Sequence, residues 1–228
     1  MIEYFLHGIF EAFPISSSMH LMLLGYSLDN IAILHGITAI VAIIFFHKTI
    51  IKLLVDFFSF GSISWKLFIA LMPKLLVGFA LRNCYLNYNY FVVILFGLIF
   101  FAVDYFRSQN IESINDISYL QSLLVGIISS FSFFPGASSL GTYYTAFRIF
   151  KINRKKSLDL SLILNIIPSI GAFLLKYNYI QISIVQFTAC TFMYFLSIFL
   201  CRKLTKYLFL LGIYRVVMGM LICINIRE

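Results

Sequence analysis

"SFFPGASSLG", residues 132–141, sets one proline, two glycines and a serine cluster inside a chain otherwise dominated by Ile, Leu and Phe. A second stretch, "EAFPISSSMH" (11–20), repeats the pattern of Phe-Pro followed by serines. Around these two breaks the sequence is greasy. Of 228 residues, 61% are hydrophobic and 11% charged, too little polar surface to cover a water-soluble domain. Apolar runs at 31–46, 67–81, 90–103, 160–175, 180–201 and 207–226 each approach the roughly 20 residues that carry a helix across about 30 Å of hydrocarbon. They predict about six spanning helices in an all-α integral membrane protein.

The stretches 1–28 and 119–147 are also apolar, but Pro, Gly and serines interrupt them. In lipid an interrupted backbone must be covered by protein or line a cavity, so both are expected to be re-entrant helix hairpins. The first run carries Glu3, His7 and Glu11 and no basic start, which does not read as a cleavable signal. Cys84, Cys190, Cys201 and Cys223 lack the paired spacing of metal or redox sites and read as packing residues. The net charge of +8 is read as a membrane-orientation signal, with no nucleic-acid partner expected.

If both hairpins return to the side they entered, residues 47–66, 104–118, 148–159 and 202–206 share one side. Twelve of the 17 Lys and Arg residues then fall there, against three (Arg82, Lys176 and Arg227) on the other. By the positive-inside rule the basic loops are cytoplasmic and both termini lie outside. The remaining cations, Lys74 in "LMPKLLVG" and Arg215 in "GIYRVVMG", fall within spans, where a charge normally faces a cavity or partner. The chain thus reads as a single membrane domain, 1–228. Hairpin plus three helices (1–107) is followed by an inverted copy (119–226), with the hairpin tips opposed near the midplane.

Backbone N–H groups freed at such tips, with serine hydroxyls, suit an anion such as phosphate. Glu11 precedes Ser16, Ser17 and Ser18, and His7 lies one helical turn before it on the same face. A carboxylate or imidazole beside hydroxyls suits a base acting on a serine nucleophile or on water, with His20 placed to protonate a leaving group. The plainer reading of the serines is back-bonding to helix carbonyls. It does not serve for Glu11, whose burial in an apolar hairpin is costly without a task.

At these residues the sequence resembles the undecaprenyl-diphosphate phosphatase family of bacteria, also known as bacitracin-resistance proteins. That family carries Glu-x-x-x-Glu running into Phe/Leu-Pro-x-Ser-Ser-x-x-His, and later Pro-Gly-x-Ser-Arg-Ser with a Thr shortly after. "HGIFEAFPISSSMH" (7–20) follows the first motif and "FPGASSLGTYYT" (134–145) the second. "LHGITAIVAIIFF" (34–46), "ALMPKLLVGFAL" (70–81), "LSLILNIIPSIGA" (160–172) and "YRVV" (214–217) fall in the family's order.

The resemblance implies an inverted-repeat membrane fold in the bacterial inner membrane, with a site opening outward. Its activity would be removal of phosphate from a C55 polyprenyl diphosphate, recycling the lipid carrier of wall synthesis. It implies a carboxylate base and a serine nucleophile, which with the imidazoles already noted makes Glu11, His7, Ser17 and His20 the expected reacting set, and it implies Glu11 as ligand to a divalent cation, Mg2+ or Ca2+. Ser16, Ser18, Gly136, Ser138, Ser139 and Thr142 would contact the diphosphate. Two departures stand out. The family's first Glu is His7 here, and the motif Arg is Ser139, followed by Leu140 in place of Ser. A hydroxyl cannot replace a guanidinium's bidentate, charge-assisted contact to phosphate. Lys74, and after it Arg215, is the expected substitute. The competing expectation is a non-catalytic protein that binds or flips an isoprenoid phosphate.

Overall fold

The computed structural model describes residues 2–26, 28–82, 84, 89–107, 111, 114–176 and 182–225. Its regular structure is helical. In chain order the α-helices are α1 (Ile2–Glu11), α2 (Ser17–Leu23), α3 (Leu28–Phe58), α4 (Ser62–Ala80) and α5 (Tyr90–Phe106). They continue with α6 (Tyr119–Ser130), α7 (Ser139–Ile149), α8 (Arg154–Lys176), α9 (Ile184–Lys203) and α10 (Phe209–Asn225).

The six apolar runs correspond to α3, α4, α5, α8, α9 and α10. Segments of α3, α4, α8 and α9 are long and apolar enough to cross a membrane, and α5 and α10 are shorter apolar helices. Large apolar side chains such as Leu76, Phe91, Ile184 and Phe192 are exposed on the outside, as suits contact with hydrocarbon rather than water. The chain is a multi-pass helical membrane protein.

Local sequence explains the helix starts. Ser118 with Gln121, and Ser183 with Gln186, form reciprocal capping boxes at α6 and α9. The Asn89 side chain caps α5. One expectation needs correction. Residues 47–66 are not a loop, because α3 continues to Phe58 and α4 already begins at Ser62. Nothing in 47–58 breaks a helix; the stop comes at Phe60, whose φ is 57°, with Gly61 capping α4. Asp56 accepts a hydrogen bond from the Ser64 backbone N–H at 2.8 Å, tightening that corner.

The two interrupted stretches break where expected. The segment around Phe13-Pro14 separates α1 from α2, and that around Phe134-Pro135 separates α6 from α7. At 10, 7, 12 and 11 residues these helices are too short to cross about 30 Å alone at roughly 1.5 Å per residue. α1 lies against α9 and α6 against α4; α3 packs on α8 and α5 on α10. Close approach of the broken helices depends on glycine. A Cβ on Gly8 would meet the Cys190 carbonyl at 2.7 Å, and one on Gly126 the Ala70 carbonyl at 2.6 Å.

At the end of the molecule carrying the α7–α8 turn, Asp104 is buried and binds three partners. Tyr144 Oη donates to it at 2.6 Å, and the Nε atoms of Arg148 and Arg154 each donate at 3.1 Å. Arg148, counted from the sequence as a loop cation, is therefore a fully buried part of α7 that ties this turn to α5. Of the three cations expected on the opposite side, Arg227 and the Lys176 side chain lie outside the described residues. Arg82 sits 4.1 Å over the Phe79 ring.

Candidate active site

The two Phe-Pro breaks meet. The Arg215 guanidinium, buried in α10, donates from Nη2 to the Gly136 carbonyl at 2.7 Å and from Nη1 to the Pro14 carbonyl at 3.5 Å. One side chain thus fastens both tips. Between the tips and the helices α3, α4 and α8 lies a hollow of about 310 Å3. Glu11, Ser16, Ser17, Ser18, Lys74, Gly136, Ser138 and Ser139 line it, together with His35 and Asn165.

The backbone at both tips is held in unusual conformations. Ser16, at the start of α2, has φ 68°, and Gly136 has φ 103°. Left-handed backbone at a non-glycine residue is a strained arrangement that tends to mark functional sites. Ser138 caps α7 by accepting the Gly141 N–H at 3.0 Å, which aims that helix's N-terminus at the hollow.

Glu11, at the C-terminal end of α1, is the hub. The Ser17 hydroxyl donates to its Oε2. Its Oε1 is met by His35 Nδ1 at 3.0 Å and by the Asn165 amide at 3.3 Å. His35 Nε2 in turn lies 3.3 Å from Ser18 Oγ. From the opposite wall Lys74 Nζ donates to Ser139 Oγ, and Ser139 donates to Asn165 Oδ1. Lys74, Ser139, Asn165 and Glu11 therefore form one continuous polar chain across the hollow. Lys74 also sits 4.5 Å above the Tyr143 ring, a second support for a buried ammonium. Pro73 precedes it in α4, and Pro168 follows Asn165 in α8 by three positions, so each carrier helix contains a proline beside its polar residue.

Not every residue singled out from sequence reaches the hollow. His7 is fully buried behind Glu11, with Nε2 3.8 Å from Oε2. Among the described residues neither of its ring nitrogens has a hydrogen-bond partner. His20 bonds the Ser16 carbonyl through Nδ1 at 2.8 Å and the Tyr214 hydroxyl through Nε2 at 2.7 Å, outside the lining. The Thr142 hydroxyl donates to the Ser139 carbonyl at 3.0 Å. Arg215 is occupied with the two tip carbonyls. His35 and Asn165 lie outside the sequence motifs, although each is the most strongly polar side chain of its apolar run, a signal of the kind that marks Lys74 and Arg215.

The resemblance brings Mg2+ or Ca2+ to Glu11. Three groups converge here: His7, Glu11 and His35 each offer one ligand atom, all within 4.8 Å of one another. Two imidazoles and a single carboxylate do not fit the oxygen cages that Mg2+ and Ca2+ require.

Fold and site together define a helical membrane protein with a polar, anion-suited hollow between two broken hairpins. The sequence model of the family described as bacitracin resistance protein BacA matches residues 4–221, and the chain belongs to that family. Among its relatives, a Thermosipho africanus protein named undecaprenyl-diphosphatase is 28% identical, with 88% of each chain covered. A Methanococcus aeolicus protein of the same name is 26% identical over 95% of this chain and 93% of the relative. One from Buchnera aphidicola is 27% identical over 96% and 94%.

Proposed function

We propose that this protein hydrolyses a polyprenyl diphosphate, releasing inorganic phosphate and leaving the polyprenyl monophosphate that serves as lipid carrier in wall synthesis. The observation that carries the reading is the Ser17 hydroxyl. It is bonded to a carboxylate that His35 and Asn165 hold in place, in a hollow faced by a buried lysine. The names of the relatives support the same class of substrate.

In this mechanism the terminal phosphoryl group sits between the tips. Lys74 and the α7 N-terminus face its charge, and the Ser16, Ser18 and Ser138 hydroxyls bond its oxygens. Ser17 Oγ attacks the terminal phosphorus as Glu11 takes its proton, and the bond to the bridging oxygen breaks. Glu11 passes that proton to the departing monophosphate. It then takes a proton from the water that attacks the phosphoserine phosphorus and hands it to Ser17 Oγ as the P–Oγ bond breaks, which restores both Ser17 and the Glu11 carboxylate and frees phosphate. Lys74 does the work of the motif arginine, reaching Ser139, the position from which the arginine is missing. Arg215 keeps the tips at the spacing the phosphate needs.

The proposed architecture is two inverted halves, 1–107 and 119–226. The helix pairing favours it, since α1 on α9 matches α6 on α4 under exchange of the halves, while α3–α8 and α5–α10 pair across the axis. With the basic loops cytoplasmic, the hollow opens to the outer face of the bacterial inner membrane. Full-length protein in detergent is expected to release phosphate from C55 polyprenyl diphosphate. Glu11→Gln is expected to lower release by at least about 1,000-fold, because it removes the proton acceptor.

A second reading is favoured by one observation: Lys74 is already engaged with Ser139, so the cation has a bonded resting state of its own. A protein that only binds or flips the lipid phosphate would show lipid binding with no release above the Glu11→Gln control, and that result would displace hydrolysis.

A further inference from the structure

We infer that the His7, Glu11 and His35 cluster selects a first-row transition-metal dication of the Zn2+ kind over Mg2+ and Ca2+. This rests on the hollow being the phosphate site, and it concerns which ion that site admits. Three observations carry it. The ligand atoms lie together, with His35 Nδ1 3.0 Å and His7 Nε2 3.8 Å from the Glu11 oxygens. His7 is fully buried, and among the described residues both its ring nitrogens lack a hydrogen-bond partner, a costly state that a metal bond relieves at Nε2, the nitrogen facing Glu11. His35 is already oriented from its far side: Nε2 meets Ser18 while Nδ1 points at the carboxylate, the outer support typical of a metal-bound imidazole.

The donor chemistry then decides the ion. Two imidazole nitrogens and one carboxylate form the three-ligand, open-position set used by catalytic zinc sites. Mg2+ and Ca2+ prefer oxygen and gain little from imidazole. Histidine at position 7 and the imidazole of His35 are what tip the set toward nitrogen. Bonds of about 2.0–2.1 Å require the widest pair of ligand atoms, now within 4.8 Å, to draw together, so the ion also tightens α1 against α3.

The test uses full-length protein in detergent with any affinity tag removed, titrated with Co2+ and followed by its visible d–d absorption without substrate. One equivalent is expected to bind, Zn2+ to displace it, and a 100-fold excess of Mg2+ or Ca2+ to leave it in place. His7→Gln and His35→Gln are each expected to weaken Co2+ by at least about 100-fold, and His7→Glu to move the preference toward Mg2+ and Ca2+. The background is Cys84→Ser, since that exposed thiol stands at the rim of the hollow. Displacement of Co2+ by equimolar Mg2+ overturns the inference, as does a spectrum unchanged in both histidine variants or lost with Cys84→Ser. If His7→Gln does not fold, the partly exposed His35 carries the test alone. Since no turnover is read, failed hydrolysis and failed metal selection are separate results.

Discussion

The two hairpin tips share a backbone device and differ in chemistry. In the first, the serine three positions after Pro14 is Ser17, which donates to Glu11. In the second, the serine three positions after Pro135 is Ser138, which caps α7. The first tip carries its own carboxylate. The second has only small residues and hydroxyls, and takes its cation from Lys74 on the neighbouring α4. In the proposed mechanism this difference divides the labour, the first tip serving proton transfer and the second holding the anion, with the supporting helices supplying what a tip lacks.

If that division holds, the largest loss of activity belongs to Ser17. Ser17→Ala is expected to lower phosphate release by at least about 1,000-fold, because the nucleophile and the first proton transfer go together. A variant that retains a tenth of the activity would move the attack to water and leave the first tip as a base alone. Next comes the borrowed cation. Lys74→Ala removes the ammonium that faces the transferring phosphoryl group and is expected to cost about 100- to 1,000-fold in kcat. The pairing with Ser139 makes a sharper cycle. Ser139→Arg in the Lys74→Ala background is expected to restore at least tenfold, whereas Ser139→Arg alone lowers activity, since two cations then crowd one hollow. No restoration would mean that Lys74 supports the tip without standing in for the arginine.

Arg215 links the tips and is expected to act on stability before chemistry. Arg215→Met leaves the Gly136 and Pro14 carbonyls without their donor. Burial of unpaired carbonyls costs about 1–3 kcal/mol each, which is read as a lower midpoint of thermal unfolding in detergent. An unchanged midpoint with lost activity would instead return Arg215 to the phosphate.

The breaks and spans were legible because proline and serine clusters are conspicuous against lipid-facing Ile, Leu and Phe, and because an interrupted membrane helix has few allowed fates. The place of Glu11, Ser17 and Lys74 on one hollow was legible for a related reason, polar groups standing where hydrophobic ones are cheap. The boundary at residue 47 differs from expectation because His47 and Lys48 end the apolar run without ending the helix, and α3 continues through them to Phe58. What the sequence could not convey is pairing between distant segments. Asn165 lies 154 positions from Glu11 and bonds it, and Arg215 reads as a phosphate ligand until both tip carbonyls are seen to claim it. His20 likewise follows the serines at a suggestive distance, but the α2 helix turns its ring toward Tyr214.

The smallest effect is expected at Ser138, and it is the strictest test of the division of labour, because a symmetric site would use Ser138 as it uses Ser17. Ser138 Oγ accepts the Gly141 N–H and so fixes the first turn of α7, which leaves its own hydrogen to donate into the hollow. Ser138→Ala removes the cap, at a cost of about 1 kcal/mol of stability, and one neutral hydrogen bond to phosphate, worth about 1 kcal/mol or several-fold in KM. kcat is expected to stay within a few-fold of wild type. Ser138→Asp separates the two contributions. Asp caps a helix as well as Ser does, so stability returns, but its charge opposes the phosphate, so KM rises further. A loss of kcat in Ser138→Ala as large as in Ser17→Ala would mean that both tips take part in the chemistry and that the difference between them is one of degree.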